Sequence, residues 1–421
     1  MSEIELAYGV ASLNFVFDEN QFSILSNQSG PKKPLSDAEI GAAFDLTISS
    51  PPLDDIFLPD DSVLVVVSDA TRATASAQIV NLLVRRLLQS GVSPAKIAII
   101  FATGIHRAVT AQEKIDLLTP FIAQRVKTID HNAYDSDRLI TLGTTARGTV
   151  VEVNSALKEF SRIVIIGGIG FHYFAGFTGG RKSVCPGLAS AETIEATHML
   201  ALDFEAGGRK VGVGIGLLDG NPVHEECEQI AEMVAPAFSI NAVVDRVGRA
   251  TSLFCGDWRV AHRAGCDDYL SSYSIDISSK RDLVIVSCGG SPYDINLIQA
   301  HKALEMAAHA CNDGGTIILL AECRDGLGRP DFMKWFEAKN SREMEARLRE
   351  SYEVNGQTAW SLLTKTERYQ VFLVSKLPYE DVRRMRIIPA ATISAAVAQI
   401  SRNVDGYVMP RGAAVLPRAL S

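Results

Sequence analysis

From about residue 60 the chain alternates short continuous apolar runs with longer segments whose apolar positions recur at helical spacing. DSVLVVVSDA reads as a buried strand and AQIVNLLVRRLLQSG as an amphipathic helix closed by Gly91. AKIAIIFATG and SRIVIIGGIG are two more strands, and between them lie a helical stretch beginning TAQEKIDLL and a shorter strand near TVVEVN. A helix near NPVHEECEQIAEMV leads to two hairpin-like strands, FSINAVVD and ATSLFCGD, and then to the helix WRVAHRAGCDDYL, read as a connector. A second run follows, with strands DLVIVSCGG, GTIILLAEC and YQVFLVSKL separated by helices near NLIQAHKALEMAAHAC and SREMEARLRESY. Strand and helix in alternation predict the α/β class. The expectation is two α/β domains with mainly parallel sheets, residues 1–275 and 276–421. The first fifty residues, including SSPPLDDIFLP, carry no motif and are expected to wrap the first domain.

Composition narrows the chemistry. A chain of 421 residues exceeds one typical core, which supports two domains. Apolar residues make up 47% and charged ones 21%, the balance of a globular enzyme and not of a disordered chain. The net charge of -8 is spread without a basic block or acidic tail, so neither nucleic acid nor an anionic membrane is an expected partner. MSEIELAYGV lacks the basic start and apolar run of a signal peptide, and no apolar stretch reaches membrane-spanning length; a cytoplasmic enzyme of small molecules is expected. The seven cysteines include no C-x-x-C pair, which argues against a disulfide framework and against a thiolate zinc or iron–sulfur site. Most are expected to be small buried apolar residues.

Candidate chemistry collects where strands end and helices begin, because helix N-termini offer free N–H groups to anions. In SDATRATAS, Asp69 and Thr71 are expected caps of the following helix, with Thr74 and Ser76 adding hydroxyls. Arg72 fits a cap poorly, since a cation there meets the positive end of the dipole; a carboxylate or phosphate ligand, or an internal ion pair, would offset it. His106 in TGIHR and His172 in GFHYF follow strand ends, and imidazole suits acid/base work near neutrality, although a single such histidine is more often structural. GFTGGRKS resembles a P-loop only until Arg181, which stands where the motif needs glycine before Lys182. What remains is a glycine loop presenting Arg181 and Lys182 for a phosphate, or Lys182 as a reactive amine. His198 ends a helix; alone it makes no metal site, but it could complete the shell of a metal that arrives on an organic cofactor. Gln299 and Lys302 lie three apart on one helix face, flanked by Ala300, Ala303 and Leu304, so they belong either to a cleft wall or to solvated surface.

Taken in order, DATRAT, GIHR, FHYFAGFTGGRKSVCPG, the TH of His198 and QAHK resemble the nickel-dependent lactate racemase family over most of the chain. The resemblance implies an active site in the cleft between the two domains. It also implies a nickel-pincer nucleotide, a pyridinium-3-thioamide-5-thiocarboxylate mononucleotide, attached to Lys182, with His198 as the protein ligand of nickel. Asp69, Thr71, Gly179 and Gly180 are then expected around the cofactor. His106 and His172 become a pair of bases on either side of a 2-hydroxy acid, and Arg72, Gln299 and Lys302 hold its carboxylate or oxygen; Trp360 is expected to line the cleft. The carbinol hydrogen is barely acidic, so the implied reaction removes and returns a hydride through a 2-keto acid. Separate cofactor-making enzymes are implied partners, and a heterologous sample is expected to lack the cofactor. Ile298 stands beside Gln299 where a tyrosine is expected in members acting on lactate, which points away from lactate itself and toward a larger or more apolar 2-hydroxy acid, or a sugar acid. The competing readings are a sugar-acid 2-epimerase with the same cofactor, a nucleotide-dependent kinase or dehydrogenase without nickel, and a non-catalytic carrier of the cofactor.

Overall fold

Every residue of the run VLVVV, 63–67, is buried, and the run feeds two cores at once. Val63, Val65 and Val67 pack with Ile99, Phe101 and Val164 on one face of a sheet, while Leu64 and Val66 pack with Ile100 and Ile165 on the other. A strand buried on both faces cannot alternate polar and apolar residues, which is why the run is continuous. The structure, a computed structural model, describes residues 1–26, 32–400 and 404–420. It divides into two compact units, one comprising Gly30–Leu202 and Arg209–Ser271, the other Met1–Ser29, Asp203–Gly208 and Ser272–Ser421.

The unit holding residues 30–202 is built on a six-stranded sheet in the order Ala250–Gly256, Phe238–Val244, Arg162–Gly168, Val63–Ser68, Ile97–Ala102, Lys127–Asp130. All neighbours are parallel except the hairpin of Phe238–Val244 with Ala250–Gly256. The next strand after Val63–Ser68 lies on one side of it and Arg162–Gly168 on the other, so the winding order of the sheet reverses at this strand, the position at whose C-terminal end such sheets bind ligands. The helix Val260–Tyr273 is more than a connector: it buries Ala261, His262, Gly265 and Cys266.

The other unit carries a second six-stranded sheet, ordered Ile388–Ala390, Gln370–Val374, Cys311–Leu320, Arg281–Ser287, Gly406–Met409, Phe22–Ile24, with every pair parallel. Here the expectation for the first residues is corrected. Residues 22–24 form the edge strand beside Gly406–Met409, and the hairpin of Ser2–Tyr8 with Ala11–Phe17 buries Leu6, Phe15 and Phe17 in this unit's core. All seven cysteines are buried free thiols, as expected. Among the described residues no helix is long and apolar enough to cross a membrane.

Candidate functional site

Three loops leave the C-terminal ends of the central strands of the first sheet, and they are tied to one another. Val63–Ser68 and Ile97–Ala102 end level, with Ser68 opposite Ala102. In the loop after the first, the buried Asp69 carboxylate accepts the Thr71 N–H at 2.8 Å and the Thr71 hydroxyl at 2.6 Å on Oδ1. Its Oδ2 lies 2.7 Å from Nδ1 of His106, which the second loop supplies. Burial alone would raise the Asp69 carboxyl, but the hydrogen bonds from His106 and Thr71 outweigh it and hold the group below its ordinary range. An ionised Asp69 fixes the His106 proton on Nδ1, so Nε2 keeps its lone pair. The expected capping role of Asp69 and Thr71 is corrected. The helix starts at Ser76 behind Ala75, a left-handed residue, and has no side-chain cap. Arg72 is exposed, with no side-chain ion pair among the described residues.

The third loop follows Arg162–Gly168. Phe171–His172 pairs with Gly176–Phe177 as a tight hairpin, and within it His172 Nδ1 accepts the Ala175 N–H at 3.2 Å and that of Phe174 at 3.5 Å. Neutral His172 therefore carries its proton on Nε2, the reverse of His106. The Phe174 ring is the hub that the sequence reading missed: its centroid is 4.5 Å from that of His172, 5.1 Å from that of His198, and 5.5 Å from Lys182 Nζ. Its signal was present in FHYF, an aromatic run too polar in its setting for a plain strand.

His198 sits in the last turn of the helix Ala191–Met199, which Ser190 caps through the Thr193 N–H. It is 7% exposed, and its Nδ1 donates to the Ile194 carbonyl at 2.6 Å. Burial, helped by the Lys182 charge, pushes His198 down to about 4, so at neutral pH it is an uncharged imidazole, the form in which histidine ligates metals. Burial also pushes the Lys182 amine down to about 7, with the Arg181 and Arg72 cations acting in the same direction against the Cys227 thiol. A large share of that amine is uncharged, and hence nucleophilic, at neutral pH.

The glycines of the loop have a reason internal to the fold. Gly176, at φ +76°, would place a Cβ 2.1 Å from the Leu217 carbonyl oxygen, and Gly180, at φ +50°, would place one 2.6 Å from the His262 ring. Gly179, at φ +82°, lies against the Gly168 carbonyl and Asn241, whose Oδ1 accepts the Gly180 N–H at 2.9 Å. Close approach is required by the protein's own packing here. Arg181 is not presented beside Lys182: the short 3-10 turn Gly180–Ser183 buries it to 1% exposure while Lys182 stays half-buried.

In the other unit, the helix Leu297–Ala307 is capped by Asn296, whose side chain accepts the Gln299 N–H at 2.9 Å. Lys302 Nζ donates to Gln299 Oε1 at 2.7 Å, and both are half-buried. Trp360 is 2% exposed and donates its indole N–H to Glu345 at 2.8 Å; the structure makes it a core residue of this unit.

Residues 8–208 match the lactate racemase N-terminal domain and residues 277–416 the lactate racemase C-terminal domain. The chain is 31% identical to the lactate racemase of Thermoanaerobacterium thermosaccharolyticum over 99% of its own length and 100% of that protein's. It belongs to the lactate racemase family. The lactate racemase of Lactiplantibacillus plantarum is also 31% identical, over 79% of this chain and 77% of that one. The solved lactate racemase apoprotein from T. thermosaccharolyticum superposes with a TM-score of 0.91 at 28% identity, covering 99% of this chain and all of that one. A protein of Thermotoga maritima, 20% identical with a TM-score of 0.68 over 93% of this chain, shares the fold. Membership makes the chain a racemase-type isomerase. Among the described residues no group of three or more His, Cys, Asp and Glu could hold a metal, so nickel at His198 would need donors brought by another molecule.

Proposed function

We propose that this enzyme inverts the carbinol carbon of a 2-hydroxy acid, lactate or a larger one, with a nickel-pincer nucleotide carried on Lys182. The observation that carries the reading is the pairing around Phe174 of an amine lowered to about 7 with an imidazole that burial keeps uncharged. These two groups fit the cofactor: Lys182 would supply the nucleophile for its covalent attachment, and His198 would hold the nickel from the protein side. When bound, the cofactor supplies a hydride acceptor, so that the hydroxy acid passes through the 2-keto acid and is reduced on its other face.

The chain's own residues do the rest. His106, with Asp69 stabilising the charge it gains, takes the substrate hydroxyl proton on Nε2. His172 donates to the carbonyl oxygen from the imidazolium form, its Nδ1 having released the Ala175 N–H to take the second proton, and is left a neutral ring with its lone pair on Nε2. Its hold on Ala175 is a long hydrogen bond, worth about 1 kcal/mol, so releasing Nδ1 is cheap. Arg72 grips the carboxylate in a two-pronged contact, and Gln299 with Lys302 is assigned to the substrate as a hydrogen-bonded pair. Asp69 and Thr71 act by orienting His106, and Gly179 and Gly180 by shaping the loop under the cofactor.

Racemisation of [2-²H]lactate in ordinary water, on cofactor-loaded enzyme, tests the reaction type. Deuterium retained at C2 of the inverted product is expected; complete washout would mean proton abstraction and overturn the hydride reading.

A further inference from the structure

Arg181 is 1% exposed and makes no close ion pair among the described residues; the Glu228 carboxylate and the Cys227 and Cys266 sulfurs act on its charge only from a distance. Burying a cation without a counter-charge in contact is costly, and such a group is retained where its geometry is needed. Its Nη2 donates to the Ala175 carbonyl at 2.9 Å and its Nη1 to the Gly179 carbonyl at 3.3 Å. Nη1 also meets His262 Nε2 at 3.0 Å, and that same nitrogen lies 3.0 Å from the Thr178 carbonyl, so His262 serves one of the two at a time. His262 is buried and uncharged, held far down by burial and by the Arg181 charge. The guanidinium Nε has no hydrogen-bond partner among the described residues.

The two carbonyls have meaning. Ala175 is the residue whose N–H is accepted by His172, and Gly179 opens the turn that carries Lys182. We propose that Arg181 is a positioning residue which, by forking between the Ala175 and Gly179 carbonyls from inside the core, fixes the His172 turn and the Lys182 turn relative to each other. The inference rests on the roles proposed for His172 and Lys182. An ammonium could not replace the fork, since it is a single point with no fixed plane. His262 and Asn241 complete the support, one under Gly180 and one on its N–H.

The test uses cofactor-free full-length protein, so its outcome is separable from whether the cofactor loads. Arg181→Lys and Arg181→Met are compared with wild type by amide hydrogen exchange and by the ¹⁵N resonances of His172. Both variants are expected to raise exchange at least tenfold within residues 171–183 while Val63–Ser68 and Ile97–Ala102 keep their protection. The single Nε2–H tautomer of His172 should become a mixture, a signature that general loosening of the core would not give. Should Arg181→Met fail to fold, Arg181→Lys alone decides. Wild-type exchange and tautomer in the Lys variant, or a uniform rise in exchange across the unit, would overturn the proposal.

Discussion

Replacing Asp69 with asparagine leaves the shape of the site intact and inverts its proton logic. Oδ1 of Asp69 receives two hydrogen bonds from Thr71, so the asparagine oxygen stays on that side and its NH₂ takes the position 2.7 Å from His106 Nδ1. An amide N–H there forces Nδ1 to accept and moves the imidazole proton to Nε2, where the base lone pair is required. In a buried triad the equivalent swap costs roughly 10⁴ in kcat. The His106 side chain is 47% exposed and can be rescued in part by water, so Asp69→Asn is expected to lower kcat by about 10²–10³, or about 3–4 kcal/mol. The assay is lactate racemisation followed by chiral chromatography on protein whose cofactor content has been checked by mass, with His106 tautomers read by ¹⁵N NMR on the cofactor-free form. A variant retaining a third or more of wild-type kcat, or one in which His106 Nε2 remains unprotonated, would refute the argument.

His198→Ala should abolish nickel retention while leaving the organic adduct on Lys182, which elemental analysis beside intact mass will separate. Gly176→Ala forces a Cβ to 2.1 Å from a backbone oxygen at a positive φ and should destabilise the protein by about 2 kcal/mol or more in urea unfolding. Stability should fall with acid. Burial lowers His131, His198 and His301 to about 4 and His224 to about 3, so each resists protonation in the folded chain and accepts it when unfolded. Their contribution is complete above about pH 6.5 and is lost as pH falls toward the folded values, at about 2 kcal/mol each by pH 5. A melting temperature unchanged between pH 7 and pH 5 would contradict this.

The doubly buried strands were legible because burial on both faces writes itself as an unbroken apolar run, as in VLVVV and IAIIF. Phe22–Ile24 was not, because three residues carry no period and their place beside Gly406–Met409 is set by a pairing across almost the whole chain. That Asp69, His106, His172, Lys182 and His198 stand at strand and helix ends could be read from the sequence. Their partners could not: that Asp69 pairs with His106 and not with a helix terminus depends on Ser68 and Ala102 ending level. Arg181 and Lys182 are adjacent in sequence yet one is core and one half-buried, a split made by the 3-10 turn and invisible to composition. Phe174 looked like one aromatic among several until three candidate residues were found around its ring.

Intact-protein mass spectrometry with nickel analysis, on protein co-expressed with the cofactor-making enzymes that the proposal implies and beside Lys182→Ala, tests the central claim most directly. A nucleotide-sized adduct with about one nickel per chain, absent from the Lys182→Ala control, is the predicted result. Absence of any adduct under conditions that load a known lactate racemase, or an adduct that persists without Lys182, would contradict it.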